Sequence, residues 1–330
     1  MGFNSIPGVV EVLGETPTSI VYALASDPTT ARKGTSVWVG DEAVYTVSGA
    51  NAQRNEEMLR NEARIYRALG SHARIAPFRG LDTDPATGAG RALCLARANA
   101  GWGLGSACLR TAVAASVFRE DGPPPPLLRD RLRMAREFAE GVRHLHDRGV
   151  TWGDTSTRNA LLYDGHVRLC DFAHSGLAPS VPCSRRYEER YAVPGAQRRP
   201  THGGGDDAPP PAKVSPKRRE MHALGCAVLE LIQWDLPYGG CTDRDDVRRL
   251  MATHTFPTIE EGRVAEQAIR MCWREEPVSA WEVVQALKVV EARVAEEEVN
   301  CVWDCGSESG DVDSDGSSLV LDPCSSQESV

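Results

Sequence analysis

The sequence predicts an α+β chain of two lobes, a small β-rich one to about residue 95 and a larger helical one to about residue 296. Two observations carry this. Short β-branched or apolar runs bounded by Gly and Pro fill the first part. An apolar stripe at 3.6-residue spacing (Leu128, Leu132, Ala135, Phe138, Ala139, Val142, Leu145) then opens a region in which helical spacing recurs. A third observation sets the scale: 330 residues, 41% hydrophobic and 25% charged, can bury a sizeable core and match an ordinary soluble globular chain.

In chain order, Val9–Leu13 and Ser19–Leu24 read as strands across a turn, and Trp38 and Val44–Val47 as another. Met58, Leu59, Ile65, Tyr66 and Leu69 fall at helical spacing over 57–69, and Leu93–Leu95 reads as a strand. Asp121–Pro126 is a polyproline joint before a helix over 126–147. Ala160–Leu162 and Val167–Leu169 form a hairpin around Asp164-Gly165. Helices follow at about 220–233, 243–252, 262–273 and 280–296. Residues 201–217 are low in complexity and read as a flexible insertion, and 297–330 as an acidic disordered tail.

The net charge of −9 is concentrated at the end. Residues 296–330 hold ten acidic and no basic side chains, so the remainder lies within about one charge of neutral. No concentrated basic face marks a nucleic-acid groove, and no apolar run reaches the roughly 18 residues of a membrane span. The start, MGFNSIPG, lacks the regions of a signal peptide and the myristoylation pattern. Ten scattered cysteines without CxxC pairs fit a reduced intracellular protein, cytoplasmic or nuclear, without structural zinc.

The chemistry is concentrated between His144 and Phe172. Asp154 is followed five residues later by Asn159 and, across a hairpin, by Asp171. Each alone is an ordinary turn former or cap. Together they supply what phosphoryl transfer needs: a carboxylate to orient the attacking hydroxyl and oxygen ligands for magnesium.

This pattern resembles the H-R-D-x-x-x-x-N and D-F-G motifs of the eukaryotic protein kinase family. Glu220–Leu231 looks like the buried helix that braces the catalytic loop, and Leu236-Pro-Tyr-Gly follows it. Met271-Cys-Trp273 through Pro277, with Arg158, resembles tyrosine-kinase-like members. The resemblance runs from about Val9 to Arg293. It implies a two-lobed kinase fold, ATP and magnesium as cofactors, and a protein substrate or binding partner. It implies catalytic roles for Asp154, Asn159 and Asp171, the last two as metal ligands. It also implies a nucleotide site at Gly14, Val21, Glu62, Leu95, Ala98 and Leu161.

Several motifs depart from the family. Glu62 resembles its helix Glu, but the strand Ala43–Thr46 offers Thr46 where the paired Lys belongs, so Glu62 is exposed, protonated, or met by Lys33 or Arg54. Of three cover glycines only Gly14 remains; Thr16 and Ser19 replace the others, and Pro17 has no N–H. Val193-Pro194-Gly195 lacks the Glu of Ala-Pro-Glu, and Ala280 replaces its Arg partner, so neither charge is orphaned. Gly153 replaces the phosphate-clamping Arg and Ala173 the Gly after Asp171-Phe172, which predicts no control by activation-loop phosphorylation.

Asp311–Asp322 imitates a calcium loop without flanking helices, and reads as solvated tail. Ser215-Pro216 has the form of a proline-directed phosphorylation site within the flexible insertion. The sequence thus predicts a divergent ATP-dependent protein kinase of reduced activity. The alternatives are a pseudokinase acting as a binding module and, from Trp152-Gly153-Asp154, a small-molecule phosphotransferase.

Overall fold

The computed structural model describes residues 8–16, 18–49, 51–99, 106–179, 188–195, 214–241, 243–260, 264–276 and 278–306. Pro17, most of the 201–217 insertion, Pro277 and the calcium-like stretch lie outside them.

The first lobe is built on a five-stranded antiparallel sheet. It contains β1 (Val9–Thr16), β2 (Ser19–Leu24), β3 (Asp27–Gly34), β6 (Phe78–Thr83) and β7 (Gly90–Ala96), in the order β1-β2-β3-β7-β6. A separate hairpin, β4 (Ser36–Val39) and β5 (Glu42–Thr46), intervenes between β3 and helix α1 (Ala52–Leu69). It closes a small core in which Val37 and Val47 join Ile20, Tyr22 and Leu24. The Trp38 backbone N–H donates to the Tyr22 hydroxyl at 3.1 Å, locking hairpin to sheet. Asn51 caps α1 by accepting from the Arg54 N–H, and Gly70 ends it at φ +67°.

This arrangement corrects the expected register. The strand before the helix was expected at Ala43–Thr46, but that segment is the outer arm of the added hairpin, where Thr46 meets the Ser36 hydroxyl at 2.8 Å. The central strand is the polar run Asp27–Gly34, paired to β2 on one side and β7 on the other. Its Pro, Gly and charges conceal it from a hydrophobicity reading, because only Thr30 and Gly34 are buried.

The second lobe forms around α3 (Leu128–Asp147). Its stripe from Leu132 to Leu145 is fully buried against α4 (Pro216–Gln233) and α7 (Ala280–Gly306). α2 (Leu109–Phe118), α5 (Arg244–Ala252) and α6 (Glu266–Cys272) complete it. Short strands β8 (Val150–Thr151), β9 (Ala160–Tyr163), β10 (His166–Leu169) and β11 (Gly176–Leu177) carry the Asp154–Asp171 region across its top.

Ser215 is not part of a flexible stretch. Its side chain accepts from the Arg218 N–H and caps α4, with Pro216 in the first turn, as helix-start chemistry favours. α7 continues to Gly306, ten residues past the expected end at 296. Among the described residues no helix is long and apolar enough to cross a membrane.

Candidate active site between the lobes

The site begins at Lys33, the sole lysine in the first 212 residues. β3 sets it opposite Val21 and Leu93, with its ammonium pointing into the cleft between the lobes. Its Nζ lies 2.9 Å from Glu62 Oε2 and 2.7 Å from Asp171 Oδ1. Glu62 on α1 is only 1% exposed, and its second oxygen accepts the Phe172 backbone N–H at 3.1 Å. A buried carboxylate in that position needs such partners. The apparent loss of the strand lysine is thereby corrected: Lys33 supplies the cation, and neither Thr46 nor Arg54 is involved.

Electrostatics follow the geometry. Burial opposes the charge on Lys33, but Asp171 and Glu62 outweigh it and hold the ammonium well above its ordinary range. Burial likewise pushes Asp171 up, yet Lys33 prevails and holds that carboxyl below its usual value. For Glu62 burial wins, and its pKa is raised despite Lys33. The trio therefore holds its single cation firmly, with Asp171 the ionised partner on the cavity side.

Asp171 adopts φ +58°, a backbone state that needs support from its surroundings. Support comes from an aromatic column running through both lobes. Phe78 stacks on Tyr66 at 5.2 Å, Tyr66 meets the Phe172 ring edge-on at 4.9 Å, and Phe172 lies 5.9 Å from Trp152. The Trp152 indole N–H donates to the Asp171 carbonyl at 3.2 Å. On α1, Asn61 donates to the carbonyls of Ala173 and Ser175, tying the helix to the same segment.

The loop carrying Asp154 hangs from α4. Buried Glu220 accepts the Trp152 backbone N–H at 2.9 Å and meets His146 Nε2 at 2.8 Å. Gly153 then turns at φ +80°, leading the chain to Asp154. Asp154 is 4% exposed; Arg158 donates to its Oδ1 at 2.6 Å, and Asn159 Nδ2 donates to its backbone carbonyl at 2.8 Å. Burial raises the Asp154 pKa, with Arg158 opposing. Behind the loop, Arg110 joins Glu230 at 2.8 Å and Glu188 at 2.5 Å, while Tyr191 and Thr157 also hydrogen-bond Glu230.

The segment carrying Val193-Pro194-Gly195 is tied down by other contacts, in place of the ion pair that the sequence lacks. Glu189 pairs with Arg248 at 2.6 Å, and Arg190 donates to the carbonyls of Pro237, Tyr238 and Cys241. Ala280 is fully buried where a charge would need a partner.

Two connected cavities fill the cleft. The inner one, about 260 Å³, is lined by Lys33, Glu62, Asp154, Arg158, Asn159 and Asp171, with Thr16, Thr18 and Ser19 as its roof. The outer one, about 620 Å³, is lined by Gly14, Val21, Ala31, Leu95, Ala98 and Leu161, and shares Lys33, Glu62, Asn159 and Asp171. Asp154, Asn159, Asp171, Gly14, Val21, Glu62, Leu95, Ala98 and Leu161 thus line one continuous cleft, while Thr46 and Arg54 do not. Ala31 and the Trp152 indole escaped the sequence reading, which named Lys33 only as one possible partner of Glu62 and not as a residue of the central strand. The signal for Lys33 was its isolation as the sole lysine of the first 212 residues.

The oxygen donors in the inner cavity suit a hard cation. Asn159 commits its nitrogen to the Asp154 carbonyl, leaving its amide oxygen as the remaining acceptor, beside the Asp171 carboxylate. That set fits magnesium.

Comparison with known proteins agrees with this arrangement. The family model described as protein tyrosine and serine/threonine kinase matches residues 10–198, more than half of the chain. The serine/threonine-protein kinase mos of Xenopus laevis is 29% identical over 191 residues, covering 53% of this chain and 50% of that protein. The match spans about half the length of that relative. The chain belongs to the protein tyrosine and serine/threonine kinase family.

Proposed function

We propose that the chain is a divergent ATP-dependent protein kinase of reduced activity, moving the γ-phosphoryl group of ATP to a protein hydroxyl. The observation that carries this reading is Lys33 held between Glu62 and Asp171 in one cavity with Asp154 and Asn159. Phosphoryl transfer asks little covalent work of a protein; it asks for positioning and charge.

In this reading the outer cavity takes the nucleoside, with Val21, Ala31 and Leu161 among its apolar walls. Lys33, fixed by Glu62, sets a cation opposite the phosphates. Asp171 and Asn159 would hold magnesium, which neutralises charge on the transferring group when bound. Asp154, its pKa raised by burial, orients the acceptor O–H and takes its proton. The acceptor oxygen bonds to the γ-phosphorus as the bond from that phosphorus to the β–γ bridging oxygen breaks, and ADP leaves. Arg158 keeps the Asp154 carboxylate turned and ionised. The protein acceptor approaches past Arg158, 37% of whose side chain is exposed. The free cysteines at 94, 108, 170, 226, 241 and 272 suit an intracellular setting, cytoplasmic or nuclear.

The glycine-poor hairpin roof favours a second reading, a pseudokinase that binds partners without turnover. The experiment is transfer of labelled γ-phosphate from ATP to a mixed protein acceptor, with and without magnesium. Magnesium-dependent label on protein is expected. Nucleotide binding without any transfer would favour the binding module, and label only on small alcohols would favour a small-molecule phosphotransferase.

A further inference from the structure

The Thr16 hydroxyl is the hub of the roof of the inner cavity. Thr16 ends β1 and Ser19 begins β2, and the two face each other across the turn. Thr16 Oγ1 accepts the backbone N–H of Ser19 at 3.0 Å and that of Thr18 at 3.3 Å. Its closest partner is the Ser19 hydroxyl at 2.9 Å, and it can also donate to the Ser19 carbonyl at 3.3 Å. A hydroxyl has one proton to give and two lone pairs to fill, so this one is fully engaged. Consecutive backbone N–H groups at a turn are a natural cradle for an anion. Here they line the cavity that holds Lys33 and Arg158, the place a phosphate would enter. Pro17, between them and Thr16, has no N–H to add. The neighbouring carboxylate is not a rival acceptor at this spot, because Glu15 receives the Tyr45 hydroxyl at 2.6 Å.

We infer that Thr16 is an internal competitor of the nucleotide's phosphates. Its hydroxyl oxygen stands where a phosphate oxygen would, on the N–H groups of Thr18 and Ser19. Phosphate gains those two donors only by displacing Thr16. This rests on the nucleotide reading above and deepens it: the roof should add little to any preference for MgATP over adenosine, leaving that preference to Lys33 and Asp171.

Thr16→Val keeps the shape and β-branching of the side chain but removes the acceptor, while Thr16→Ser keeps the acceptor. Both substitutions are made in the full chain, with adenosine and MgATP affinities measured by calorimetry. Freeing two backbone donors for a charged ligand should tighten MgATP by on the order of tenfold in Thr16→Val. Adenosine affinity should not change, and Thr16→Ser should behave as the parent. Adenosine binding with no gain for MgATP in Thr16→Val overturns the inference. So does an equal gain in Thr16→Ser, or a parallel loss of both ligands in Thr16→Val, which would make Thr16 a purely structural clasp. If neither the parent nor any variant binds adenosine, the nucleotide reading itself falls, and the inference with it.

Discussion

Replacing Lys33 by Met should destabilise the protein before any question of catalysis arises. The ammonium is 2.9 Å from Glu62 and 2.7 Å from Asp171. Asp171 opens to the cavity and can be hydrated, but Glu62 is 1% exposed and would keep only the Phe172 N–H. Breaking a buried pair by removing one partner costs about 3–5 kcal/mol, and the lower end applies because Glu62 can protonate. At about 2 °C per kcal/mol for a chain of this size, the melting temperature should fall by about 6 °C. The loss should depend on pH with a definite sign. Orphaned Glu62 has a folded pKa above its unfolded value, so the folded state binds more protons and stability declines as pH rises between the two. The Lys33→Met defect should therefore be larger at pH 8 than at pH 5. Adding Glu62→Gln should recover part of it, since the second change removes the orphan charge. Thermal melts of the two single variants and the double variant at both pH values are the assay. Strictly additive losses, or a Lys33→Met melt within one degree of the parent, would refute the buried-pair argument.

Two further outcomes follow from contacts in the structure. Burial raises Asp154 while Arg158 opposes it, so the acidic limb of the kcat/KM profile should lie above the ordinary Asp value of about 3.9, and Arg158→Gln should move it higher still. A limb that stays put or moves down in Arg158→Gln would contradict the Asp154–Arg158 pairing. Gly225→Ala would place a Cβ 2.6 Å from Trp273 Nε1 and 2.8 Å from Cys272 Cβ; overpacking, partly offset by helix propensity, should cost about 1–2 kcal/mol in a denaturant titration. A neutral or stabilised variant would show that α4 and Trp273 are less tightly packed than described.

How much was legible beforehand depended on which physical signal each element carries. α3 and α4 announce themselves because a buried helix must write its apolar face into the sequence, from Leu132 to Leu145 and from Met221 to Ile232. Asp154, Asn159 and Asp171 were visible because the phosphoryl-transfer chemistry proposed for them calls for those residue types in a short span. β3 was not, because a central strand lining a polar cleft carries Ala31 and Lys33 where an alternating pattern would show large apolar residues. The β4–β5 hairpin compounded the error: it is apolar enough to pass for the central strand, and it stands in the chain just where that strand was sought. The Trp152 contact to Asp171 has no sequence signature, since it joins residues from different elements that meet only after folding.

The central claim, that Asp154 acts on the acceptor while Lys33, Asp171 and Asn159 serve the nucleotide, is tested most directly by the phosphate-transfer assay run on Asp154→Asn. That variant keeps the shape of the side chain and loses the proton acceptor. The account expects kcat to fall by on the order of a hundredfold or more with the KM for ATP little changed, because general-base and positioning contributions of that size vanish together. Transfer at the parent rate by Asp154→Asn would contradict it.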